Sequence, residues 1–136
     1  MTLRNCTTND PVGPPFTSLA TFHRGGTGTG STSNLAFAIG QRTQEHITWT
    51  HEGDGVFEQH ILALILFDTP PNLPGPGFNP GLPVSPGFSA GWQTVTHTIE
   101  LINADEWRSS GTNAFYNVAG QLYRSGCSTA TAQRFQ

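Results

Sequence analysis

Nowhere in this chain do apolar residues recur at the 3.6-residue period of a helix over a useful length, and that limits the fold more than any other feature. Only "ADEWRSS" (104–110) offers a single helical turn. Elsewhere the apolar residues alternate with polar ones, as strands require. "VFEQHILALILF" (56–67) alternates in its first half and is apolar on both faces in its second. "GWQTVTHTIELIN" (91–103) sets Val95, His97, Ile99 and Leu101 on one face and Thr94, Thr96, Thr98 and Glu100 on the other. Shorter runs at 16–23, 34–41, 46–52, 107–117 and 122–135 read as further strands. Gly-Asp-Gly at 53–55 is a hairpin signal, and 118–121 reads as a second turn. Residues 1–15, rich in Pro, read as an irregular arm, and the glycine-rich 24–34 reads as a loop. The fold class predicted is all-β, with strands every 10 to 15 residues: a closed barrel or a sandwich.

"PPNLPGPGFNPGLPVSPGF" (70–88) holds seven prolines and four glycines in nineteen positions. It raises the possibility of two domains. The pieces on either side are too short to bury separate cores, since even a unit of about 60 residues is marginal. We therefore expect one domain over residues 1–136, with 69–90 as a loop at one open end of a barrel or as an oligomer contact.

Charge narrows the function. All six basic residues are arginines, the net charge is −3, and no basic stripe exists, so nucleic acid is not an expected partner. No apolar run reaches the ~20 residues of a spanning helix, so membrane insertion is not expected. Cys6 and Cys127 permit one disulfide tying the arm to the last strand; two free thiols are the alternative. No secretory signal is recognisable, which predicts a secreted or periplasmic protein if one has been removed and a cytoplasmic protein otherwise.

Three stretches carry a resemblance: "TFHRGGTGTG" (21–30), "ITWTHEGDGVFEQHILALILFD" (47–68) and "HTIELINADEWRSSGTNAFYNVAGQLYRSGCSTATAQRF" (97–135). The marks are a first strand ending in Phe-His-x-Gly-Gly-Thr, a strand with a central Trp, a strand ending in Leu-Phe-Asp, and a tail reading Ser-Gly-Cys-x-Thr-Ala-Thr. In these the chain resembles a group of small bacterial lipocalin-like (calycin-type) β-barrel proteins, mostly uncharacterised and often secreted. The resemblance implies a single antiparallel barrel that holds one small ligand. The long proline segment replaces what is a short turn in that group.

The residues that carry chemistry are few. His97 shares a face with Val95, Ile99 and Leu101; His51 shares one with Ile47 and Trp49; His60 shares one with Glu58, Leu62 and Leu64. If these faces meet in one lumen, His97, His51, His60 and Glu58 form an acid–base set, because histidine titrates near neutral pH. The other reading is a hydrogen-bonded core histidine and a solvated face. No metal motif is complete: the Gly-x5-His of 91–97 lacks a histidine at 99, where Ile99 stands. No cofactor is expected, since no phosphate loop or dinucleotide fingerprint is present. Trp49, Trp92, Phe22 and Tyr116 are the expected ligand-binding aromatics, with Trp92 at a barrel rim beside the proline segment.

The leading expectation is binding of a small apolar molecule inside the barrel. A cofactor-independent isomerase, cyclase or lyase using the same interior is the first alternative. A structural or assembly subunit, forming a homo-oligomer through exposed strand edges, is the second.

Overall fold

A computed structural model describes residues 1–34, 37, 40–66 and 89–135. Among these, eight strands and no helix are found: β1 (Thr2–Arg4), β2 (Ser18–His23), β3 (Thr27–Thr32), β4 (Glu45–Gly53), β5 (Val56–Leu66), β6 (Ser89–Leu101), β7 (Glu106–Asn117) and β8 (Leu122–Gln133). They form one antiparallel sheet in the order β1-β8-β7-β6-β5-β4-β3-β2, curled into a half-barrel. From β2 to β8 each strand pairs with its successor in sequence, so the sheet is an up-and-down meander. Only β1 is out of sequence, beside β8.

The alternation sets the faces. β5 and β6 pair from Val56↔Glu100 to Leu66↔Ser89, which brings Gln59 opposite His97 and Ile61 opposite Val95 on the concave side. Ile47, Ile61, Val95 and Ile99 are buried there. The Gly-Asp-Gly turn forms as expected: Asp54 takes φ 48° and Gly55 φ 76°, both left-handed. Residues 118–121 turn between β7 and β8.

Four sequence expectations need correction. The glycine-rich stretch is no simple loop, because Thr27–Thr32 is β3. Gly28 and Gly30 take its inward positions; a Cβ at Gly28 would lie 3.3 Å from the Ile47 Cβ, and one at Gly30 would collide with the Glu45 carboxylate. Small residues are demanded there by both flanking strands: a Cβ at Gly28 would also come within 2.5 Å of the Thr21 carbonyl of β2, and one at Gly30 would lie 3.0 Å from that of Leu19. The strand expected at 34–41 is not seen at Asn34, Phe37, Gly40 or Gln41; its other residues lie outside the described ones. The helical turn at 104–110 is a bend followed by the start of β7, where Glu106 pairs with Gln133 and closes a β-ladder instead. The arm contains β1, which pairs Thr2–Arg4 with Cys127–Thr129.

The Cys6–Cys127 disulfide fixes that arm, with Cα atoms 5.2 Å apart across a separation of 121 residues. Closing so long a loop contributes ~4–5 kcal/mol in the chain-entropy account. Two backbone hydrogen bonds between Met1 and Phe16, 2.8 and 2.9 Å, then draw the two sheet edges together at one point. The expected loop at 69–90 lies outside the described residues except for Ser89 and Ala90, which belong to β6.

Candidate functional site: an aromatic cleft on the concave face

The concave face is layered along the strands. At the end carrying the Gly-Asp-Gly turn, Phe22 of β2, Trp49 of β4, Phe57 of β5, Ile99 and Leu101 of β6 and Trp107 of β7 line an open cleft of about 190 Å³. The register makes this set. Leu101 pairs with Trp107, and Ile99 pairs with Phe57 on the other side. The Trp49 and Phe57 rings meet edge to face at 5.7 Å. The Trp49 indole Nε1 donates to the Thr27 carbonyl at 3.0 Å, so its orientation is held by the β2–β3 hairpin. Gly26, with φ 85°, lets that hairpin seat on the Trp49 backbone, whose N–H donates to Gly26 O at 2.8 Å. His51 stands exposed at the rim, its ring 4.8 Å from Phe57.

Below the cleft the face is filled by the apolar residues Ile47, Ile61 and Val95 and by polar side chains, most of them hydrogen-bonded to one another. His97 is 1 % exposed, with Nδ1 2.9 Å from Ser109 Oγ and Nε2 2.8 Å from Ser128 Oγ. Burial, assisted by the positive charge of the N-terminal amine, pushes its pKa down to about 4. At neutral pH it is an uncharged strut with both nitrogens engaged.

Deeper still, Arg42 Nη1 donates to Glu45 Oε1 at 2.7 Å and Arg42 Nε to Gln93 Oε1 at 2.7 Å. Thr32 Oγ1 donates to the same carboxylate oxygen at 2.6 Å, and Ser18 Oγ lies 2.8 Å from Thr32 Oγ1. A small cavity of about 30 Å³ borders this cluster, sized for one or two waters. Asn113 lines it with a buried Nδ2 that has no protein acceptor among the described residues.

The eight expected site residues are therefore dispersed. Trp49 and Phe22 line the cleft, and His51 stands at its rim. His97 lies in the layer beneath, locked between two serines. His60 and Glu58 are on the convex face, where His60 Nε2 meets Glu58 Oε1 at 3.0 Å and Nδ1 meets Thr96 Oγ1 at 3.2 Å. The four residues expected as an acid–base set do not converge: β5 places Glu58 and His60 on the opposite side of the sheet from Gln59. Trp92 and Tyr116 are also convex and at the far end of the sheet, stacked on each other at 5.6 Å.

Sequence reasoning assigned no site role to Ile99, Leu101, Arg42, Glu45, Gln93 or Asn113. For Ile99 and Leu101 the signal was present, since they continue the face of Val95 and His97. Among the described residues no three of His, Cys, Asp and Glu gather closely enough to hold a metal ion. No protein-family model, curated protein or solved structure matches this chain.

Proposed function

We propose that the protein binds a small apolar ligand carrying a flat ring in the cleft between Trp49, Phe57 and Trp107, in the manner of a lipocalin-like barrel. One observation carries the reading: this is the open part of the concave face, and it is lined wholly by apolar residues, two of them indoles. Elsewhere that face is closed by mutually bonded polar side chains and by the buried apolar residues Ile47, Ile61, Val95, Ile65 and Phe115. A polar ligand would find no hydrogen-bonding wall in the cleft, whereas a ring would gain contact with several aromatic faces. A ligand burying ~200 Å² of apolar surface gains ~5 kcal/mol at about 25 cal/mol per Å², which suits a single ring bound at roughly 0.1–1 mM and larger ligands more tightly.

The neutral fluorophore N-phenyl-1-naphthylamine tests this. The expected result is saturable fluorescence enhancement, weakened about tenfold or more by Trp107→Ala and Leu101→Arg and unchanged by Trp92→Ala on the opposite face. No saturation, or equal loss from the Trp92 variant, overturns the proposal. The enzymatic alternative, a cofactor-independent isomerase, cyclase or lyase, rests on the rim position of His51. It requires turnover that His51→Ala abolishes while fluorophore affinity stays constant.

A further inference from the structure

The two ends of the sheet are finished differently. On the β1 side the chain folds back over the edge: Arg4 bridges to Pro11, Val12 N donates to Leu3 O at 3.0 Å, and Phe16 N donates to Met1 O at 2.9 Å. β1 covers only the middle of β8: among the described residues, 122–126 and 130–133 of that strand have no ladder partner on this side. On the β2 side nothing among the described residues covers the edge. β2 pairs with β3 alone, and five of its six residues are exposed, including Leu19 at 68 % and Phe22 at 39 %.

The hydrogen-bonding parity of that edge follows from one bond. Ser33 N donates to Thr17 O at 2.9 Å, so Thr17 directs its backbone groups at β3. By alternation Leu19, Thr21 and His23 do the same. The close approaches of Thr21 O to Gly28 and of Leu19 O to Gly30 agree with this. Phe16, Ser18, Ala20 and Phe22 therefore direct their N–H and C=O groups away from the sheet. Phe16 spends its pair on Met1. Among the described residues, the backbone groups of Ser18, Ala20 and Phe22 have no partner and form a row of donors and acceptors. β2 itself carries no built-in edge protection, for it contains no Lys, no Pro and no bulge.

We propose that β2 pairs with β2 of a second copy of this chain, antiparallel about a two-fold axis at Ala20, so that two half-barrels share one continuous sheet. The register is self-complementary. Ala20 faces its own counterpart, Ser18 faces Phe22, and each such pair exchanges both backbone bonds. Between them Leu19 faces Thr21, which keeps convex side chains on the convex side. His23 meets Thr17, so no like charges are opposed. The smallest side chain of the strand lies on the axis. The contact is isologous, using the β2 edge of both copies at once, so association stops at the dimer. This inference rests on the β2 edge and is independent of the ligand proposed for the cleft.

Sedimentation analysis of the full chain over a wide concentration range, with amide exchange measured at high concentration, tests it. The expected result is a reversible monomer–dimer equilibrium in which the Ser18, Ala20 and Phe22 amides are protected only in the dimer. Ala20→Pro removes a donor that makes no bond to β3, and it should weaken association by about tenfold or more while leaving the β2–β3 hairpin intact. Should that variant misfold, Ala20→Lys keeps the N–H and sets two cations across the axis, with the same expected loss. A monomer at every concentration, a dimer indifferent to folded Ala20 variants, or oligomers that grow beyond two copies overturns the proposal.

Discussion

Gly111 lies directly across the β6–β7 ladder from His97, and the imidazole occupies the space a side chain at 111 would need. A Cβ there would come within 2.6 Å of His97 Cδ2 and 2.8 Å of its Cα, and would collide with the Thr96 carbonyl. Backbone on one side and a doubly bonded ring on the other leave no route of relief. Gly111→Ala should therefore destabilise the fold by about 1–3 kcal/mol, the usual range for overpacking, read as a lowered urea midpoint at unchanged slope. Combining it with His97→Ala should recover only part of the loss, because the Thr96 carbonyl remains. Full recovery in the double variant would show the ring to be the whole obstacle.

His97 also makes stability depend on pH. In the unfolded chain a histidine takes up its proton near pH 6.5, whereas the buried ring does so only near pH 4. Between those values the unfolded state holds more protons, so stability falls as the pH drops from about 6.5 towards 4. The two and a half units of separation correspond to about 3 kcal/mol, fully lost once both states are protonated. Urea midpoints at pH 7, 5.5 and 4 check this. The wild type should show the decline, and His97→Gln, though less stable at pH 7, should show a much flatter profile over the same window. Equal slopes in the two proteins would place the titration elsewhere.

The all-β class and most of β4 to β8 are legible in the sequence because those strands alternate with period two and turn at Gly-Asp-Gly and at 118–121. The face of Val95, His97 and Ile99 is legible for the same reason. Trp92 differs in parity from His97 and agrees with Thr94 and Thr96, so the same alternation places it on the convex face. What the sequence hides is the relation between strands. β5 carries Leu62 and Leu64 on the convex side and Gln59 on the concave side, so polarity does not identify its inner face. Only the pairing of His60 with Thr96 rather than with His97 separates the two histidines. β3 is hidden because its glycines answer to neighbours on the two flanking strands, the Thr21 and Leu19 carbonyls of β2 and Ile47 and Glu45 of β4. The Arg42–Glu45 cluster is hidden because nothing in "QRTQE" (41–45) says that both side chains turn inward.

That cluster supplies the last prediction. Arg42 and Glu45 are 8 % and 5 % exposed in their side chains, 2.7 Å apart, and each has a further partner, Gln93 and Thr32. Taking two charges out of water is costly, and their attraction offsets that cost only while both are present. Removing one partner leaves the other buried and uncompensated, so Arg42→Met alone and Glu45→Gln alone should each destabilise by about 3–5 kcal/mol. The double variant removes both charges and leaves an amide that can still accept from Thr32. It should cost clearly less than the sum of the single changes, with a coupling of about 1–3 kcal/mol in a double-mutant cycle. Gly30 constrains this site as well, since a side chain there would strike the carboxylate. Gly30→Ala should therefore lose stability in the wild type, and lose it still in the Glu45→Gln background, where the amide occupies the same space. Strict additivity of the two charge removals in denaturation would show that the pair contributes nothing as a pair.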